Sequence, residues 1–404
     1  MKVLMVTPYL PYPPSSGGQV RSYNLLKNLA KRHQITLFSL ITSEKEKEYL
    51  SQFKGLCSKV MVFLRPEKPW MIKNILQTGF GLYPFVVVRN LSREAKLAVE
   101  KELADNVYDL IHAETFYVMP HIPETKVPIL LVEQTIEFQV YHHYADTARF
   151  WPAKPLLYFD VFKIKFWETK FWQKATRVVA VSEEDKRKML SLVSGLKVDV
   201  VPNGVGEDLT DLFSEKKFVA EKPIIFFQGN FHWLQNTEAA KILATKIFPL
   251  IKKEIPTAIC RIVGQVAREK IGSFAGTSVQ IRTLASSDIE GVKQAYREAT
   301  VFLAPLEGPG GTRLKILGAM AAGIPVITTL TGIQGIEAKD KREVFVENNY
   351  KKMAEIAVKL IKDKSLYRGV TEAARNLVKE KYNWNKIADG LDRIYQEVGA
   401  SEKN

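Results

Sequence analysis

The stretch Leu303–Thr329, LAPLEGPGGTRLKILGAMAAGIPVITT, constrains the fold of this chain more than any other. An apolar run, Ala299-Thr300-Val301-Phe302-Leu303, leads into it and reads as a buried strand. A loop dense in Gly and Pro follows, with Gly308, Pro309, Gly310 and Gly311, and Thr312 then stands where a helix cap belongs. Leu314, Ile316, Leu317, Met320 and Ala321 crowd one side of that helix, Gly323 stops it, and Pro325-Val326-Ile327 opens the next strand. A glycine-rich turn entering a helix presents unpaired backbone N–H groups and the positive end of the helix dipole, a geometry suited to phosphate. Arg313 and Lys315 fall in the first turn, where cations disfavour an isolated helix. Two readings follow: an anionic partner that these cations serve, or an ordinary βαβ turn with solvated basic residues.

The rest of the chain repeats the same alternation. Strand Val3–Thr7, a proline-rich loop ending in Gly17-Gly18, a helix from about Gln19 to Lys31 and strand Ile35–Leu40 form an opening β–loop–α–β unit. Glu44–Tyr49 reads as helical, Trp70–Val88 resists assignment, and helix Arg93–Ala104 precedes a strand, Tyr108–His112. Strand Ile129–Val132 runs into Glu133-Gln134-Thr135-Ile136-Glu137, and strand Arg177–Val181 ends at Ser182, a helix cap followed by Glu183 and Glu184. After strand Val198–Val201 the alternation restarts at Pro223–Gln228, followed by Gly229-Asn230 and a helix capped near Asn236-Thr237. Strands near Ala258–Val263 and Val279–Ile281, a helix at Asp288–Glu298 and helices Tyr350–Asp363, Leu366–Lys381 and Trp384–Val398 complete the reading. The fold class is α/β, as two doubly wound Rossmann-like domains, and 404 residues suffice to give each a full core. The boundaries are 1–203 and 204–382, with 383–404 as a helix returning to the first domain.

Charge narrows the partners. A formal net charge of +14 suits nucleic acid, an anionic membrane, or phosphorylated substrates and lipids. No RNA- or DNA-binding signature accompanies it, so nucleic acid is not expected. Cys57 and Cys260 are the only cysteines, one in each domain, and imply neither a disulfide framework nor a structural zinc site. With no signal-peptide pattern and no apolar run of about 18 residues, the expected location is the cytoplasm, peripheral on the inner face of the membrane. In YFDVFKIKFWETKFWQK, Tyr158–Lys174, Phe159, Phe162 and Phe166 recur at helical spacing among lysines. That helix either docks on an anionic membrane or packs its aromatic stripe into the core with lysines reaching water.

Gly311, Thr312, Arg313, Leu314, Lys315, Leu317, Ala319, Met320, Ala321, Gly323, Pro325 and Val326 match the G-T-R-L-K-x-L-E-A-M-A-x-G-x-P-V pattern. This resembles the donor-binding motif of retaining family-4 glycosyltransferases with the GT-B fold. Asp109-Leu110-Ile111-His112-Ala113-Glu114, the V-S-E piece at Val181, V-P-N-G-V at Val201 and Gly229, Trp233 and Asn236 resemble further signatures of that family. The resemblance implies two Rossmann-like domains facing across a cleft and transfer of a sugar from a nucleoside-diphosphate donor to a glycan or lipid-linked acceptor. It implies no metal and no cofactor beyond the donor itself. His112, Arg313 and Lys315 are the implied catalytic residues. Gly18, Gly229, Asn230, Asn236, Glu307, Gly310, Gly311 and Thr312, with Arg313 and Lys315, are the implied donor-binding set, and Gly17, Glu114 and Glu133 face the acceptor. The family's two motif carboxylates are absent, Gly310 and Gly318 standing in their places, with Glu307 nearby but out of register by three. Those losses keep a rival open, a non-catalytic nucleotide-sugar-binding or partner subunit, beside a sugar-nucleotide epimerase on the same fold.

Overall fold

The structure, a computed structural model, describes residues 1–66, 71–148, 150–206, 209, 212, 221–285, 287–310 and 313–400. The chain forms two compact units, Met1–Pro202 with Ile387–Asn404, and Asn203–Lys386.

The first unit is built on seven parallel strands: β1 (Lys2–Thr7), β2 (Gln34–Ile41), β3 (Lys59–Leu64), β4 (Leu110–Glu114), β5 (Ile129–Val132), β6 (Arg177–Ala180) and β7 (Val198–Val200). Their order is β3-β2-β1-β4-β5-β6-β7, so the winding reverses between β1 and β4, where Met5 lies beside His112. β1, β4 and β5 are buried along nearly their whole length, which is why they read as unbroken apolar runs with no alternation. From Ile387 onward the final helix, Trp384–Ala400, belongs to this unit. Its Asp392 accepts hydrogen bonds from Arg32 Nη1 and His33 Nε2, each at 2.8 Å.

The second unit carries six parallel strands: β8 (Ile224–Gln228), β9 (Ile259–Gly264), β10 (Val279–Thr283), β11 (Val301–Ala304), β12 (Val326–Thr328) and β13 (Phe345–Val346). Their order, β10-β9-β8-β11-β12-β13, reverses between β8 and β11. Open sheets of this kind hold ligands outside the carboxyl ends of the strands at such a reversal. In each unit the candidate residues stand at that place.

Several boundaries differ from the sequence reading. β4 runs on to Glu114, so His112 lies inside a strand and does not end one; the carboxylate is paired and buried, and therefore does not break the strand. The first helix starts at Gly17, capped by Ser16, and so takes in both glycines. The helix read as capped near Asn236 begins at Leu234, because the Asn236 side chain is engaged elsewhere. It ends at Ile242, and a π turn, Leu243–Ile247, precedes a second helix, Phe248–Glu254, with Pro249 in its first turn, where a missing N–H does least harm. The segment that resisted assignment contains helices Ile72–Phe80 and Phe85–Val88; Trp70 lies outside the described residues. Cys57 and Cys260 are free thiols.

Candidate active site

In the second unit, β11 leads into a loop, 305–310, and the helix Leu314–Ala321 follows. Gly311 and Thr312, both in the expected donor set, lie outside the described residues. Arg313 is buried and its Nη2 donates to the carbonyl of Gly308 at 2.6 Å, closing the loop on itself. A Cβ at Gly310 would come within 2.3 Å of Arg313 Nη1, and its φ is 155°. The glycine standing where the family places a carboxylate thus makes room for the guanidinium. Lys315 is half-buried, with Nζ 2.5 Å from Asn236 Oδ1 and 4.9 Å above the ring of Phe227. Burial, and then the nearby charge of Arg313, push its ammonium well below the usual lysine range.

Asn236 ties the other loop to this point. Its Nδ2 donates to the carbonyl of Asn230 at 2.7 Å, and Asn230 Nδ2 donates to Gln265 Oε1 at 3.0 Å. Gly229 backs onto the Asn236 side chain, whose Cγ would lie 3.1 Å from a Cβ there. Gly229, Asn230, Asn236, Arg313 and Lys315 therefore gather at the carboxyl ends of β8 and β11. Glu307 is exposed on the same loop and accepts a hydrogen bond from the Tyr350 hydroxyl. Gly318 faces inward: a Cβ would stand 3.2 Å from both the Tyr296 hydroxyl and Leu209 Cδ1, and Tyr296 donates to the Lys315 carbonyl at 3.2 Å. A side chain at 318 would therefore press on Tyr296 and Leu209. Sequence reading missed Tyr296, Tyr350 and Phe227, whose roles depend on contacts far apart in the chain.

In the first unit, His112 is fully buried and both ring nitrogens are engaged, Nδ1 with Tyr395 Oη at 2.5 Å and Nε2 with Glu114 Oε2 at 2.9 Å. Gln134 Nε2 donates to Glu114 Oε1 and to the Tyr9 hydroxyl, both at 2.5 Å. Burial pushes the Glu114 carboxyl up, yet the bond from His112, together with His112, Arg21 and Gln134 close by, holds it below its usual value. Gly18 sits against this network: a Cβ would meet Gln134 Oε1 and Tyr9 Oη at 2.5 Å, whereas Gly17 is exposed. Nothing in the sequence pointed to Tyr395, 283 residues from its partner.

Glu133, expected to face the acceptor, is buried, and so is Glu137. Trp172 Nε1 donates to Glu133 Oε1 at 2.9 Å, and Glu168, fully buried, accepts from the amides of Glu137 at 2.8 Å and Phe138 at 3.1 Å. Burial raises all three carboxyls, Glu133 to about 8, Glu137 to about 7, and Glu168 well above the usual range with Glu133 adding to the rise. Among the described residues no three His, Cys, Asp or Glu side chains gather as a metal-binding group, and no helix is long and apolar enough to cross a membrane.

Residues 15–209 match the family described as Glycosyltransferase Family 4, and residues 222–363 the family described as Glycosyl transferases group 1, between them most of the chain. The phosphatidyl-myo-inositol mannosyltransferase of Mycobacterium leprae is 25% identical over 230 residues, 55% of this chain and 59% of that protein. Sucrose-phosphate synthase from Thermosynechococcus elongatus shares the fold with a TM-score of 0.75 at 15% identity, covering 100% of both chains. The Anabaena protein HepE, solved in complex with UDP-glucose, does so with a TM-score of 0.64 at 13% identity, covering 98% of this chain and 100% of that one.

Proposed function

The chain belongs to the group 1, family 4 glycosyltransferases, and from that premise we propose that it moves a sugar, with retention of configuration, from a nucleoside-diphosphate donor to a glycan or lipid-linked acceptor. The observation that carries this reading is the placement of Lys315 and Arg313 with Asn236 where the second sheet reverses, the position at which such sheets take ligands. Departure of the diphosphate concentrates negative charge on its phosphates. Cations and dipoles already fixed there lower the barrier without reorganising, and act most strongly where water is excluded. Lys315 and Arg313 are that pair of cations, and the proposal needs no metal ion. That HepE binds UDP-glucose, and that the M. leprae relative is a phosphatidyl-myo-inositol mannosyltransferase, favour a nucleotide-sugar donor and a lipid-borne acceptor.

With glycine at 318 no carboxylate stands at the family's position, so we assign the ribose hydroxyls to Glu307, exposed on the loop after β11 and bonded by Tyr350. In the first unit the polar network of His112, Glu114 and Gln134 stands at the reversal between β1 and β4, beside Gly17 and Gly18. We assign it to the acceptor side, with His112 held in one orientation by Tyr395 and Glu114. Membership of a polysaccharide or glycoconjugate pathway follows from such an acceptor.

The test is calorimetric titration of UDP, GDP and ADP, with chelator present, into wild type and Lys315→Ala. One nucleotide is expected to bind, at least tenfold more weakly to the variant, about 1.4 kcal/mol. Absence of binding to wild type would overturn the reading. The glycine at 318, where the family has a carboxylate, also favours a second reading, a subunit that keeps the fold without turnover. Tight nucleotide binding with no transfer to any glycan or lipid acceptor would select it.

A further inference from the structure

The helix Lys154–Lys174 does not bury its aromatic stripe. Phe159, Phe162 and Phe166 are 53%, 65% and 52% exposed, while Ile164, Phe171 and Trp172 fill the core side. A second element extends the apolar surface: Phe80 and Leu82, at the end of helix Ile72–Phe80, are 91% and 80% exposed. The two are fastened together. Lys163 Nζ donates to the carbonyls of Thr78 at 2.6 Å and Gly81 at 2.7 Å, Trp167 Nε1 donates to Leu82 O at 2.9 Å, and the Tyr83 and Trp167 rings lie 4.6 Å apart. A connected ridge of large apolar side chains, its two elements fastened by these hydrogen bonds, marks an interaction surface and not a fault of packing.

Its charges name the partner. Lys73, Lys165, Lys170 and Lys174 are exposed on the same two helices. Helix Ile72–Phe80 contains no acidic residue. The acids of the longer helix are turned to backbone amides: Asp160 accepts from Phe85 N at 2.9 Å, and Glu168 from Glu137 and Phe138. The neighbouring Asp146 is held by Tyr158 Oη at 2.6 Å and His142 Nδ1 at 3.0 Å. Aromatic rings interleaved with lysines suit the boundary between headgroups and acyl chains, rings entering and ammonium groups meeting anionic phosphates. A symmetric contact with a second copy would set lysine against lysine with no carboxylate from either helix to answer it.

We propose that the first unit docks on an anionic bilayer surface through this ridge, with Phe80, Leu82, Phe159, Phe162 and Phe166 entering the interface and the lysines pairing with lipid phosphates. The inference rests on surface chemistry alone and stands apart from the transfer reaction. The full chain would be sedimented with phosphatidylcholine vesicles, with and without phosphatidylglycerol, alongside Phe80→Ser/Phe162→Ser and Lys165→Glu/Lys170→Glu. Circular dichroism checks that each variant is folded, and sedimentation velocity follows self-association. Wild type is expected to bind the anionic vesicles and to be released by salt, with each double variant bound about tenfold more weakly. Failure of wild type to bind anionic vesicles, or equal binding by folded variants, would overturn the proposal. So would a dimer of wild type that the Phe variants dissociate, since the ridge would then join copies of the chain.

Discussion

Lys315 reaches across to Asn236, its Nζ 2.5 Å from Oδ1, joining the helix after β11 to the helix after β8. Because Asn236 also donates to the carbonyl of Asn230, one carboxamide fixes both the cation and the neighbouring loop. Asn236→Ala removes the tether and leaves Lys315 free to turn. Calorimetry should show nucleotide affinity falling roughly fivefold, about 1 kcal/mol, the usual worth of one hydrogen bond. Affinity equal to wild type would show that the tether does not position the cation.

The same lysine sets the sign of a proton linkage. Burial and Arg313 push its pKa well below the usual lysine range in the free protein, and a diphosphate arriving beside it pulls that pKa back up. Binding should therefore take up a proton, and affinity should rise as pH falls through the depressed value. From about pH 8 upward a terminal phosphate, of pKa about 6, is already ionised and adds no proton of its own. Titrations stepped upward from that pH in buffers of different ionisation enthalpy should cross a range in which the observed enthalpy climbs with that enthalpy in wild type, while Lys315→Met stays flat throughout. A flat response in wild type would contradict the assignment.

Gly310 offers a steric test of the loop. An added Cβ would stand 2.3 Å from Arg313 Nη1, where φ is already 155°, so Gly310→Ala must displace the guanidinium or the backbone. Nucleotide binding should weaken at least tenfold, about 1.4 kcal/mol. Gly369→Ala is the control: that residue lies exposed within helix Lys364–Lys381 with nothing within 4 Å of its Cβ, and the change should stabilise by up to about 1 kcal/mol. Equal binding by Gly310→Ala and wild type would show that Arg313 does not need its present place.

How far these relationships were legible depended on their range. Strand runs such as Val3–Thr7 and Pro223–Gln228 announced themselves, because parallel strands buried on both faces carry unbroken apolar stretches. The glycine loop and its two cations were equally plain. Phe159, Phe162 and Phe166 fitted a core stripe as well as a surface one, and periodicity alone does not say which face turns inward. Glu168 was invisible for the opposite reason. A lone carboxylate among lysines looks solvated, yet Glu168 is fully buried and accepts from two amides at the start of helix Glu137–Thr147. Tyr296 and Tyr395 act on residues 19 and 283 positions away, where no local pattern reaches.

The buried carboxyls of the first unit give the last prediction. Glu133, Glu137 and Glu168 are packed near one another with Trp172, Tyr117 and Tyr141, and Arg89 is the cation that partly offsets Glu137. Burial raises Glu133 to about 8 and Glu137 to about 7, so the native state keeps protons that an unfolded chain releases above about pH 4.3. Their contribution to stability is therefore full below that pH and is lost as pH climbs through the native values. The midpoint of thermal unfolding should fall between about pH 5 and pH 8, with each proton contributing at most about 1.4 kcal/mol per pH unit. Glu133→Gln keeps an oxygen to accept from Trp172 Nε1 but carries no charge at any pH. The variant should match wild type at about pH 5, exceed it at about pH 8, and show a shallower decline between them. A decline as steep as wild type, or a variant less stable at the higher pH, would mean that Glu133 is ionised in the native protein.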